Sequence, residues 1–141
     1  MSRADYSDDN DDPLALGRWR QAVAMAIQGR RGQAFLRELI EALDAMPEKR
    51  LIADALRTRE GAFCALGVVG ARRGIDLDAI DPDDAESIHL PFGIANAMAR
   101  EIEYINDEAG PHSQTPEHRW ARVRAWAVAQ LKASPEGPTN G

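Results

Sequence analysis

Apolar side chains between residues 13 and 46 recur every three or four positions, a spacing that a helix can bury along one stripe and a strand cannot. Over 33–46 the stripe is Phe35, Leu36, Leu39, Leu43 and Met46, with Arg37, Glu38 and Glu41 turned outward. Over 13–28 it is Leu16, Trp19, Val23, Ala26 and Ile27, with Arg18 and Gln21 off it. The punctuation agrees. Asp12 before Pro13 reads as a cap and a first-position proline, and Gly29-Arg30-Arg31-Gly32 separates the two helices. A further helix is predicted from about Phe92 to Asn106, with Ile94, Met98, Ile102 and Ile105 inward. The last begins at Thr115-Pro116-Glu117, a cap, a proline and an acid at the positive helix end, and runs to about Lys132. Trp120, Val123, Ala127 and Leu131 form its inward face.

The middle of the chain is less regular. Cys64 to Gly74 reads as a short buried helix, with Arg72 and Arg73 at its negative end and Gly74 as a left-handed cap. Gly67 and Gly70 are costly inside a helix, so they predict close passage of another backbone. Between Met46-Pro47 and Cys64 two readings compete. Alternation over 51–59 with a turn at Glu60-Gly61 favours a β-hairpin, whereas the Ala and Leu content allows a helix at 48–58. The hairpin is preferred. Residues 76–84 form a loop anchored by Leu77 and Ile80, and Pro82 opens a short helical turn towards His89. The expected fold is therefore mainly α (α+β), a compact bundle of about five helices with a small β-hairpin near residues 51–64. A single helical domain over 13–132 lies between a disordered acidic tail at 1–12 and a disordered C-terminal tail at 133–141.

Charge narrows the function classes. The net charge of −6 is concentrated in Asp5, Asp8, Asp9, Asp11 and Asp12, opposed only by Arg3, and in a second acidic run from Asp76 to Glu86. Nucleic-acid binders show the reverse balance, so direct binding to DNA or RNA is disfavoured. The N-terminus is polar and acidic rather than basic then apolar, and no apolar stretch is long enough to span a bilayer, so neither a signal peptide nor a membrane role is expected. One cysteine, Cys64, permits no internal disulfide, which points to a reducing, cytoplasmic setting.

No pattern amounts to a catalytic site. Cys64 lacks a sequence-adjacent base to form a thiolate and reads as a buried structural residue. The Asp76–Asp84 run departs from the calcium-loop pattern, lacking its glycine and terminal glutamate, and reads as a solvated loop that caps its own turns. His89, His112 and His118 have no zinc spacing, so no metal and no cofactor is expected. Gly29-Arg30-Arg31-Gly32 precedes a helix as a phosphate loop would, but lacks the lysine and hydroxyl. Three surfaces remain as candidates for partner binding: Asp81, Asp83 and Asp84 in the acidic loop; Asn106, Asp107 and Glu108 at a helix end; and Arg119, Arg122 and Trp126 on the last helix. Local capping, an exposed helix end tied by salt bridges and core packing are their plainer readings.

Several runs together carry a resemblance. They are Ala42 to Ala53 (with Met46-Pro47-Glu48-Lys49-Arg50-Leu51 at its centre), Cys64-Ala65-Leu66-Gly67, Phe92-Gly93-Ile94-Ala95, Asn106-Asp107-Glu108, and Thr115-Pro116-Glu117 with Arg119-Trp120. As a set they resemble a family of small uncharacterised bacteriophage and prophage proteins over about residues 35–131. The resemblance implies a viral or mobile-element origin and transfers no activity, ligand or functional residue. The expected function is a non-enzymatic accessory protein that binds and modulates a host protein, such as a component of a defence system. A small enzyme or ligand binder with a site near Cys64 and Asn106 to Glu108, and a nucleic-acid-binding regulator, are the alternatives.

Overall fold

The computed structural model describes residues 13–81, 83–84, 86–110 and 114–132. The expected tails, the Asp12 cap and the Pro82 turn start lie outside them. Among the described residues there are five helices: α1 (Pro13–Gln28), α2 (Arg30–Ala45), α3 (Ala65–Arg73), α4 (Asn96–Asp107) and α5 (Pro116–Gln130). Two 3-10 turns, Leu77–Ala79 and Leu90–Phe92, lie between α3 and α4. No helix is long and apolar enough to cross a membrane among the described residues.

α2 and α4 organise the bundle. α2 packs against α1, α3 and α5, and α4 packs against the same three helices. Their apolar stripes meet around Leu36, Leu39, Leu43, Leu66, Val69, Ile102 and Val123, all fully buried. Each such side chain contributes about 1.5–3 kcal/mol of transfer free energy. Phe35 of α2 meets Phe92 edge to face, with ring centroids 6.3 Å apart and planes at 84°. Phe92 was expected to open α4, but Gly93 adopts φ 69° directly after it. The chain therefore turns there, and α4 starts at Asn96.

α1 keeps its predicted bounds and most of its predicted face: Val23 and Ile27 lie in the core, and Trp19 and Ala26 pack against it. Leu16, at its N-terminal end, is the exception at 36% exposure. Polar chemistry adds to this packing at α4. Arg20 reaches Glu101 with two hydrogen bonds, at 2.9 and 3.4 Å, and Arg100 lies 5.6 Å over the Trp19 ring.

α2 begins at Arg30, three residues earlier than expected, and Gly32 lies inside its first turn. A Cβ at Gly32 would stand 2.1 Å from the Ala26 carbonyl oxygen, so only glycine lets α1 and α2 meet this closely. The buried Gln33 locks the same corner. Its Nε2 donates to the carbonyls of Ile27 (2.9 Å) and Gln130 (3.0 Å), and its Oε1 accepts from Lys132 N–H at 2.8 Å.

Residues 46–63 form neither the expected hairpin nor its helical competitor. One isolated antiparallel bridge pairs Arg57 with Phe63. Ile52 N–H donates to the Phe63 carbonyl at 2.9 Å, and Cys64 N–H to the Leu56 carbonyl at 3.2 Å. Strand alternation fails at Asp54, which adopts a left-handed φ of 67°. That kink brings Leu51 and Leu56, five positions apart, into the core together.

Candidate functional site

Two places in this frame gather side chains with functional potential. The first is where the 46–63 loop, α3 and the end of α4 meet. The Cys64 thiol is buried and caps α3 by accepting the Gly67 N–H at 3.4 Å. A Cβ at Gly67 would lie 1.9 Å from the Leu56 carbonyl oxygen, which fulfils the expected close backbone passage. At Gly70 the close neighbours are instead the Leu77 and Phe92 side chains.

Asn106 completes this junction at 1% exposure. Its Oδ1 accepts the Ala65 N–H at 3.0 Å, while Nδ2 donates to the Ile52 carbonyl at 2.8 Å and to Asp107 Oδ1 at 2.7 Å. Asp107 Oδ1 also accepts the Asp54 N–H at 3.2 Å, holding the left-handed residue in place. The fold therefore brings Cys64 and Asn106, separate in the sequence, to one junction. The Asn106 amide, however, is spent on main chain and on Asp107. Glu108 is exposed beside it.

Arg119 and Arg122 serve the same junction. Arg119 Nε donates to the Asn106 carbonyl (2.8 Å) and its NH1 to the Leu51 carbonyl (3.2 Å). Arg122 donates from Nε and NH2 to the Ile105 carbonyl at 3.1 and 3.0 Å and also bonds Gln114. Two guanidinium groups thus cover the negative end of the α4 dipole. Burial, helped by the neighbouring Arg119 charge, lowers the Arg122 pKa. Arg73, at the end of α3, reaches Glu38 of α2, with contacts of 2.8 and 2.6 Å.

The remaining candidates lie apart. Asp81 accepts the Asp83 N–H at 2.9 Å, and Asp84 accepts the Glu86 N–H at 3.3 Å and bonds Ser87, which lowers the Asp84 pKa. Asp81, Asp83 and Asp84 are all exposed, and no group of three or more metal-ligating side chains occurs among the described residues. Trp126 is half-buried against the core, as is Trp120, whose Nε1 donates to the Leu43 carbonyl at 3.2 Å.

The second place carries no sequence motif. A half-open groove of about 670 Å³ lies between the end of α2, the 46–63 loop, α3 and the start of α5. Met46, Pro47, Ile52, Phe63, Val68 and Pro116 give it an apolar lining, and Glu48, Arg50, Glu60 and Arg72 stand along it. It exists because the loop follows Leu51 and Leu56 into the core without closing over α2, leaving Ile52 and Phe63 half-buried. Sequence periodicity could not find it, since its walls come from four separate elements. The described residues thus form a five-helix bundle with an open apolar trough. Comparison with protein-family models, with curated proteins and with solved structures finds no match.

Proposed function

We propose that this chain is a non-enzymatic accessory protein of the phage or prophage type, which binds and modulates a host protein in the host cytoplasm. The groove is the observation that carries the binding half of this reading. It offers apolar area with a charged border, the layout of a docking surface whose centre excludes water and whose rim sets specificity. The runs that resemble phage proteins support the origin, and the lone, buried Cys64 suits a reducing compartment.

The alternatives draw less support. An enzyme or small-ligand site at Cys64 and Asn106 would need groups aimed at open space, and Asn106 is committed to Ala65, Ile52 and Asp107. A nucleic-acid face would need free cations on α5, yet Arg119 and Arg122 hold carbonyls and Arg124 holds Asp44 at 2.6 Å. Affinity capture from host lysate, with wild type and Phe63→Glu side by side, tests the proposal. A host protein retained by the wild type and lost from a folded Phe63→Glu variant is expected. Equal retention by both removes the groove from the function.

A further inference from the structure

Resting on that docking reading, we infer that the groove takes an apolar peptide segment of the partner flanked by one acid and one base, with no net charge. Shape gives the first reason. Small-ligand sites enclose most of their ligand, and this trough is half open, suited to one face of a peptide. Ile52 and Phe63, both half-buried, are the apolar surface that such a segment finishes covering.

The border gives the second. Its charged side chains are two acids and two bases, Glu48, Glu60, Arg50 and Arg72. A segment of one sign therefore loses at one point of the border what it gains at another. Glu48 and Arg50 pair with each other. Glu60 and Arg72 are exposed, and neither has a hydrogen-bonded or ion-paired partner among the described residues. The Arg72 charge is felt at Glu38, but Arg73 occupies both oxygens of that carboxylate, at 2.8 and 2.6 Å. The two open charges are of opposite sign and come from different elements, Glu60 from the loop and Arg72 from the last turn of α3. A bound segment satisfies both only with its base towards the loop and its acid towards α3. That order sets which way the segment lies as well as what it contains.

The test selects short random peptides from a displayed library on the full chain. Two groove-blocked variants, their folding checked by circular dichroism, are used for counter-selection: Phe63→Glu, and Ala71→Trp, which fills the groove from an exposed position on α3. Enriched sequences should place apolar residues between one acid and one base. A synthetic copy should lose affinity by about fivefold on Arg72→Glu or on Glu60→Lys, and should weaken as salt rises. The double variant should regain that affinity for a copy in which the acid and the base are exchanged. Groove-dependent peptides of a single sign, or an affinity that neither reversal changes, overturn the inference while leaving the docking reading in place. Absence of any peptide blocked by Ala71→Trp overturns both. A dimer in light scattering that Ala71→Trp abolishes assigns the groove to a second copy of this chain and also overturns the inference.

Discussion

Asn106→Ala should be among the most damaging single substitutions in this protein, although it removes a polar side chain close to a helix end. The side chain is 1% exposed and satisfies the Ala65 N–H and the Ile52 carbonyl, and Ala65 is itself fully buried. Truncation leaves one donor and one acceptor without partners inside the fold. Each such orphan costs about 1–3 kcal/mol, so the expected loss is about 3 kcal/mol, before any change at Asp107. A domain of this size has about 5–15 kcal/mol in total, and its midpoint should fall by roughly 10 °C. Urea unfolding followed by circular dichroism measures the difference directly. Asn106→Asp should not rescue it, because a carboxylate keeps the acceptor for Ala65 but places charge against the Ile52 carbonyl and Asp107 Oδ1. A loss below about 1 kcal/mol for Asn106→Ala would refute the reasoning. Water would then be satisfying both groups, and the junction would be open enough to admit a polar ligand.

Three further outcomes follow from the same geometry. Gly67→Ala sets a Cβ 1.9 Å from the Leu56 carbonyl oxygen, so it should cost about 2 kcal/mol or more in urea unfolding and displace the loop that walls the groove. Arg20→Ala strands the Glu101 carboxylate, which is only 6% exposed, and should lower stability by about 1–3 kcal/mol, whereas Arg18→Ala on the exposed side should change it by less than about 0.5 kcal/mol. The Arg73 hydrogen bond holds the Glu38 pKa below its ordinary 4.5, so this pair's stabilisation is full above that value and is lost as pH falls through the lowered folded-state pKa. The stability gap between wild type and Glu38→Gln should therefore be constant near neutrality and close on acidification below 4.5; a gap that widens there would contradict the assignment.

Helices were legible in the sequence wherever local chemistry decides them. Pro13 and Pro116 begin helices, and Thr115 caps α5 by accepting the His118 N–H at 3.0 Å. Gly74 ends α3 in a left-handed conformation, as its position after Arg72-Arg73 predicts. What stayed hidden depends on distant partners. Gln33 lies among apolar stripe residues with nothing nearby to signal that it clamps residues 97 and 99 positions away. The 46–63 loop alternates well enough to suggest strands, but its path is set by Asn106, Asp107 and Arg119, which no window around residue 54 contains. Asn106 and Arg119 drew attention as exposed candidates for binding, and burial gives both a main-chain partner instead.

The five sequence runs singled out above take on a physical meaning when placed on the fold. Met46 to Ala53 supplies one wall of the groove and the Leu51 anchor; Cys64 to Gly67 begins α3 against the Leu56 carbonyl; Asn106 and Asp107 bind the loop from below; and Arg119 ties Leu51 to the end of α4. Pro116 belongs to both sets, since its carbonyl accepts the Leu51 N–H at 3.1 Å and its ring lines the groove. Four of the five runs therefore meet at one junction, far apart in sequence and joined by hydrogen bonds to main chain. A loop with no regular ladder of its own needs such external ties to hold a fixed shape, because each ordered residue costs about 1–2 kcal/mol of backbone entropy. Ties of this kind keep Ile52 and Phe63 half-buried instead of collapsed onto α2, which is the condition for an open apolar trough. Asn106, Asp107 and Arg119 thus fix the path of the loop that walls the groove.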